Sequence, residues 1–552
     1  MNIPAKFGFV KRQSHKTEAV QYVVLRNALV VLLITLLGGA TAPVHAQGVP
    51  NGAAFLPEPA KFQTAPMAFV NDQIQYKWGK SQRNTPEGAQ AAMDMQHQVE
   101  SYLSAFSSVV GIEMSRQATP NIYELFDYAL RMGDRSVAAT QTSYTLLRPF
   151  TQYKESSLVP SLENTYSTTS SYPAVPAMMG WLYGLILTEV CPDRQEQVLL
   201  RGYQYGTSSV IAGFNWDSDS YAGRLLATAL LSRFHAESSF NSMIANAKTE
   251  YNYKASYART RAEGEGDGEG EGEGEGEGEG EPEPDEPVVP SVLPYIPADD
   301  PPSVLVYLPA PPDSVSARFA CDIYDYQNGK TMRNPNTIVG GMAIDDTEYS
   351  VERWQKIYSP LFGLEISQSN TPEIFELIEH VHVTGGEVAV EGKQHYIRLR
   401  PYVWFDEITA YPAEDEVYRN TGSYPSGHTS CSWLIAMILS EINPAAQEEL
   451  LARAYQYGQG RVITGFHWQS DVDAGRLVAS AAYACLHTSS DFQKQMLAAK
   501  NEYKTKTSTG IESATIKEAV DADAPIYNLG GIRVDSPTQH GVYIQGNKKV
   551  IY

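Results

Sequence analysis

The stretch Gly422-Ser-Tyr-Pro-Ser-Gly-His428, continuing as Thr-Ser-Cys-Ser-Trp433-Leu-Ile-Ala-Met-Ile-Leu-Ser-Glu-Ile442, decides the fold of this chain. A loop of small residues runs straight into a segment, Ser430 to Ile442, whose Trp433, Leu434, Ala436, Met437, Ile438 and Leu439 leave it apolar nearly all round. That pattern belongs to a helix buried on every side. Arg476 to Leu486 reads similarly, and alternating strand patterns are scarce around both. The expected fold class is all-α.

Outward from this segment an internal repeat becomes visible. Tyr203-Gln-Tyr-Gly206 returns as Tyr455-Gln-Tyr-Gly458, Ala222-Gly-Arg-Leu225 as Ala474-Gly-Arg-Leu477, and Ala247-Lys248 as Ala499-Lys500, each 252 positions apart. Gly111 and Gly363, Pro120 and Pro372, Arg148 and Arg400, and Trp181 and Trp433 keep the same offset. A constant offset over about 140 residues means shared element lengths and hence a shared fold. The chain reads as two tandem helical-bundle copies, 47–258 and 307–507. Between them Glu263 to Glu281 strictly alternates acid and glycine, and prolines follow to Pro312. Flexible glycine and self-repelling charge make 259–306 a solvated, disordered tether.

The length of 552 residues already exceeds what one hydrophobic core normally organises. The net charge of −22 is concentrated: 13 of the 64 acidic residues lie between Glu263 and Glu286, and the remainder is only mildly acidic. Nucleic acid is therefore not an expected partner. At the N-terminus, Lys6, Lys11, Arg12, Lys16 and Arg26 precede the apolar run Ala28 to Leu37 and small residues ending Val44-His45-Ala46. This reads as a secretory signal, 1–46, and places the protein among exported ones, in the periplasm, at the cell surface or outside the cell. Cys191, Cys321, Cys431 and Cys485 show no metal-ligand spacing and no disulfide framework. After a linker, 508–524, the tail 525–552 holds β-rich runs with a Gly546-Asn547 turn, expected as a short β-hairpin.

Three clusters in the second copy carry chemistry. Lys393 and Arg400 stand seven apart before Pro401, so that two cations share one helical face while proline ends the helix. Pro425-Ser426-Gly427-His428 lies at a helix start, where free amides and the helix dipole face an anion. Arg461 precedes His467 and Asp471; the last two, four apart, share a helical face where the carboxylate takes the Nδ1 proton and leaves Nε2 free. Each cluster alone is commonplace on a protein surface. Together they describe one site: three cations and a helix N-terminus for a phosphate, with two imidazoles for attack and proton transfer.

The pattern Lys393-x6-Arg400-Pro401, Pro425-Ser-Gly-His428, Arg461-x5-His467-x3-Asp471 resembles the signature of class A bacterial non-specific acid phosphatases, in the type-2 phosphatidic acid phosphatase and vanadium haloperoxidase superfamily. Gly329-Lys-Thr-Met-Arg333, Glu441-Ile-Asn-Pro444 and His467-Trp-Gln-Ser-Asp-Val-Asp473 extend the likeness over about 200 residues. The resemblance implies a secreted enzyme that hydrolyses small phosphomonoesters through a phosphohistidine, without metal or cofactor. By it His467 is the nucleophile, Asp471 its orienting group and His428 the acid. Lys393, Arg400, Ser426, Gly427 and Arg461 hold the phosphate. One departure is Gly460, where serine is usual, which is expected to remove a bond to phosphate.

In the first copy the matching residues are Gln141, Pro176, Ser209 and Asn215, with Arg148 and Asp219 retained. That copy is expected to be an inactive phosphatase-like domain that supplies an intramolecular pseudo-dimer partner. The tail resembles C-terminal sorting signals of type IX-secreted bacterial proteins, which implies a secretion machinery as partner. Two other readings use the same residues: a phosphotransferase with this site, and a surface binding protein with vestigial activity.

Overall fold

The computed structural model describes residues 48–264, 293–295 and 302–512, together with four short strands near the C-terminus. The signal-like segment 1–46, most of the acidic tether and the 513–525 stretch lie outside the described residues. Among the described residues up to 512 the chain is helical throughout. No described helix is long and apolar enough to cross a membrane.

The helices follow from local signals repeated in both copies. Proline opens Pro66–Gln82, Pro86–Asp94 and Pro120–Gln141 in the first copy, and Pro372–Glu387 in the second. In each case its missing N–H falls where no intrahelical partner exists. Ser350 and Ser426 cap Val351–Phe362 and Gly427–Ile442 by accepting backbone amides. Gly213 and Gly465, at φ 83° and 95°, close Gln195–Ala212 and Gln447–Thr464 in the left-handed region that glycine adopts without strain. The turn at Gly465 is what brings His467 back against Arg461.

At the centre of each copy three long helices pack together. They are Val175–Val190, Gln195–Ala212 and Asp217–His235 in the first, and Gly427–Ile442, Gln447–Thr464 and Gln469–Leu486 in the second. As its sequence predicts, Gly427–Ile442 is buried along its whole length after the first residue. Each fully buried large apolar side chain there is worth about 1.5–3 kcal/mol. One contiguous apolar core includes residues of both copies, with Trp181 and its counterpart Trp433 both inside it.

Counterpart residues also meet each other. Thr228 Oγ1 and Ser480 Oγ are 2.9 Å apart, and the rings of His235 and His487 stack with centroids 3.7 Å apart. The N-terminal arm of each copy reaches the other: the Asn51 amide donates to Glu448 at 2.8 Å, and the Ser303 amide to Glu196 at 2.9 Å. The structured chain accordingly extends into the 259–306 tether at both ends. The helix Ser238–Gly264 continues beyond 258, and Val304–Tyr307 forms a helical turn because Glu196 and Glu391 receive its first amides.

Near the C-terminus, Arg533–Val534, Ile526–Asn528, Val542–Gln545 and Lys548–Ile551 pair in that order, all antiparallel. The Gly546-Asn547 turn lies outside the described residues. All four cysteines are free.

Candidate active site

The two cations of the first cluster reach the site by a route other than a shared helical face. Lys393 sits on the short helix Val390–Tyr396, which stops before Ile397, a β-branched residue held at φ 43°. Such a conformation costs of order 1–3 kcal/mol and persists only where the surroundings impose it. The chain reverses there, and Arg400 follows in extended backbone as the residue before Pro401, which starts a helix where the sequence predicts an end. The cations still converge: Lys393 Nζ donates to the Gly422 carbonyl at 3.0 Å, and Arg400 reaches the same oxygen at 3.4 Å.

Arg400 is almost fully bonded. Its nitrogens donate to the carbonyls of Tyr418 and Phe466 at 3.1 and 3.0 Å and to Thr421 Oγ1 at 3.0 Å. Nη1 also lies 3.1 Å from His467 Nε2. Arg461 is the opposite case. Its side chain has no exposed surface, it lies over the Phe466 ring, and none of its three side-chain nitrogens has a hydrogen-bond partner. A buried guanidinium costs several kcal/mol without a counter-charge, so its surroundings fit an anion.

Ser426 and Gly427 complete that wall. The Ser426 hydroxyl caps the helix, accepting from Thr429 N and Oγ1 at 3.4 and 3.0 Å. Gly427 begins the helix beside Lys393, where an added Cβ would lie 3.8 Å from the lysine Cε. A side chain at Gly460 would instead meet Ala343 on Ile338–Asp345, and in the first copy the matching Ser208 bonds Asp94. The glycine therefore faces that helix.

His467 and Asp471 do not share a helical face, because His467 precedes the helix Gln469–Leu486. Asp471 stands in the first turn and reaches back, accepting from the Trp468 amide at 2.9 Å and facing His467 Nδ1 at 3.2 Å through the same oxygen. The expected pair exists, made by helix capping instead of i,i+4 spacing. His428 Nε2 lies 3.3 Å from the Thr347 carbonyl, and its ring packs between Tyr349 and Tyr418 at 4.7 and 6.2 Å.

Burial and crowding of cations set the protonation states. His467 is held well below the ordinary imidazole range by burial, then by Arg400, Lys393 and Arg461. His428 is lowered similarly by burial and then Arg461. Lys393 is pushed down to about 7 by burial, with Arg400 and Arg461 adding to it. All three groups respond to excess positive charge, and a phosphate dianion would reverse that push.

One further residue of the site has no place in the sequence reading. Arg398 bonds Asp471 at 2.6 Å and Asp322 at 2.7 Å, both ion pairs buried. The signal that finds it is the comparison of copies: Arg148 and Arg400 match, whereas Leu146 stands opposite Arg398.

The first copy keeps the frame but has neither imidazole and neither the lysine nor the second arginine at the matching positions. Gln141 Nε2 bonds the Ser170 carbonyl at 3.1 Å, as Lys393 bonds that of Gly422. Arg148 repeats the bonds of Arg400, to the carbonyls of Tyr166 and Phe214. Asn215, in place of His467, gives its amide hydrogen to the Ser171 carbonyl at 2.6 Å. The space lined by Arg148, Pro176 and Asn215 is about 10 Å³, room for about one water.

Metal-ligating residues meet at a different place, between the copies: Glu189, His235 and His487. The two imidazoles stack at 25°, so their nitrogen lone pairs run side by side, and each Nε2 already has its own carboxylate, Glu189 at 2.8 Å and Glu441 at 3.0 Å. That arrangement suits protons better than a shared ion.

Fold and site together define a helical protein that gathers three cations and two imidazoles in one buried cluster. Residues 380–494 match the family described as the PAP2 superfamily. Over 200 residues, 36% of this chain and 80% of the relative, the sequence is 40% identical to a non-specific acid phosphatase of Providencia stuartii. A non-specific acid phosphatase of Salmonella typhi is 38% identical over 201 residues, 36% of this chain and 80% of the relative. An acid phosphatase of Zymomonas mobilis subsp. mobilis is 32% identical over 205 residues, 37% of this chain and 77% of the relative. The chain belongs to the PAP2 superfamily, alongside the non-specific acid phosphatases, and is a phosphatase.

Proposed function

We propose that the second copy hydrolyses small phosphomonoesters through a phosphohistidine at His467, and that the first copy is a pseudoenzyme. The observation that carries the reading is Arg461, a fully buried guanidinium without a hydrogen-bond partner among the described residues, set beside an imidazole whose Nδ1 faces a carboxylate. With its proton on Nδ1, His467 presents the Nε2 lone pair. That nitrogen attacks phosphorus, the P–O bond to the leaving group breaks, and the departing oxygen takes a proton from His428. Water, giving a proton back to His428, then attacks the phosphohistidine, and phosphate leaves with His467 restored. Lys393, Arg400, Arg461 and the Gly427 amide stabilise charge on the transferring group throughout.

The enzyme is read as exported, on the strength of the 1–46 signal pattern, with the C-terminal strands as a sorting element. The two copies are read as an intramolecular counterpart of a homodimer, supported by the meeting of matched residues Thr228 with Ser480 and His235 with His487. Turnover of p-nitrophenyl phosphate by the full chain and by His467→Ala tests the chemistry. Loss only in the variant is expected, and equal rates would remove the assignment.

A further inference from the structure

Asp471 has two oxygens with separate duties. One accepts from the Trp468 amide and faces His467 Nδ1; the other takes Arg398 Nη1 at 2.6 Å. The same guanidinium bonds Ser470 Oγ at 2.7 Å and Asp322 at 2.7 Å, and Asp322 in turn receives the Ser470 amide and hydroxyl at 2.8 and 2.6 Å. One cation thus ties two buried carboxylates to the helix start that carries Asp471. The strained turn at Ile397 delivers Arg398 to that place, as it delivers Arg400 to the phosphate side.

We propose that Arg398 is a positioning residue, holding Asp471 as an ionised acceptor for the His467 proton under acidic conditions; the proposal rests on the phosphohistidine reading above. A protonated carboxyl, its hydrogen on the oxygen that Arg398 otherwise holds, would be a much weaker acceptor for the His467 Nδ1 proton and would no longer offset the positive charge the imidazole gains as Nε2 bonds phosphorus. The other groups acting on Asp471 do not replace Arg398. Lys393, Arg400 and His467 face the phosphate side, whereas Asp473, Asp322 and Tyr424 add negative or neutral surroundings.

The first copy is an internal control. There Leu146 replaces Arg398, while Asp219 keeps the matching bond to the Trp216 amide at 2.8 Å. None of Arg148's hydrogen bonds goes to Asp219. Burial pushes Asp219 up to about 7 in spite of the Trp216 amide, the Ser171 hydroxyl and the more distant Arg148. Asp72, matching Asp322 in its bonds to the following helix through Ser218, is raised well above the carboxylate range by burial and then by Asp219. Where catalysis is absent, the cation that holds the carboxylates is absent too.

The test compares wild type, Arg398→Leu, Arg398→Lys and His467→Ala in the full chain. With Asp219, which has no such cation and is pushed up to about 7, as the guide, kcat/KM of Arg398→Leu falls about 100-fold relative to wild type at pH 5 and less than tenfold at pH 7.5, and Arg398→Lys recovers most of the loss. A loss equal at both pH values, or none, overturns the proposal. Melting temperature gives a readout independent of turnover. A buried carboxylate with raised pKa loses stability as pH rises from about 4 to 7, so the gap between wild type and Arg398→Leu widens over that range. A constant gap overturns the hold on Asp471. Turnover surviving in His467→Ala would remove the phosphohistidine reading by a separate signal.

Discussion

Arg400 Nη1 lies 3.1 Å from His467 Nε2, so the nitrogen proposed to attack phosphorus is met by a donor in the free enzyme. The same Nη1 also donates to the Phe466 carbonyl at 3.0 Å, which fixes the guanidinium in place. An incoming phosphate oxygen competes for that donor. In the proposed mechanism, binding the anion and freeing His467 Nε2 are therefore one event.

His428→Ala should harm substrates in proportion to their need for a proton. General acid catalysis contributes about 10²- to 10⁴-fold where the leaving oxygen is basic and little where it is not. An alkyl phosphate should lose at least tenfold more kcat than p-nitrophenyl phosphate. Equal losses would make His428 a binding or packing residue.

Lys393 gives phosphate binding a pH dependence with a definite sign. Its ammonium, pushed down to about 7, is charged below that value and discharged above it in the free enzyme. Inhibition by inorganic phosphate should weaken more steeply between pH 6 and 8 in wild type than in Lys393→Gln. Parallel pH profiles for the two proteins would assign the dependence elsewhere.

The contact between His235 and His487 should make stability depend on pH. The acceptors of His487 are Glu441 at 3.0 Å and the Tyr483 carbonyl at 2.9 Å, so both ring nitrogens are protonated, and Glu441 raises the imidazole despite burial. A raised folded-state value means stability fully present below about pH 6.5 and lost as pH rises through the folded pKa. His487→Phe should cost about 1–3 kcal/mol at pH 5 by removing one of the partners of buried Glu441, which keeps Lys500 at 2.7 Å and the Tyr483 hydroxyl, and less at pH 9. Calorimetry at the two pH values checks it; an effect that grows with pH would contradict the protonated pair.

Separated copies should behave unequally. Residues 47–258 should fold as a helical domain without turnover, because Pro176 and Asn215 can neither relay a proton nor attack. Residues 307–507 should keep the chemistry and self-associate, having lost the surface that covers Ser480 and His487. Activity and solution mass of each fragment decide this, a stable monomeric second fragment being the contrary result.

The buried helix before Ile442 and the eight candidate site residues are legible in the sequence because apolar runs and motif spacing are local properties. The sequence conceals how the cations arrive: isoleucine has no preference for the left-handed backbone found at Ile397, so a straight helix from Lys393 to Pro401 is the natural misreading. Asp471 reaches His467 through a cap instead of a helical face, and Arg398 is hidden because its partner Asp322 lies 76 positions away. The stack of His235 on His487 is similarly long-range, and only the folded chain brings the two copies' matching residues together.

Rapid-quench labelling with a ³²P-phosphomonoester distinguishes a covalent phosphate on His467 from direct attack by water. Wild-type enzyme should yield label that approaches one phosphate per chain, stable in base and lost in acid, and His467→Ala should yield none. Label that survives acid, or that persists in His467→Ala, would contradict the account.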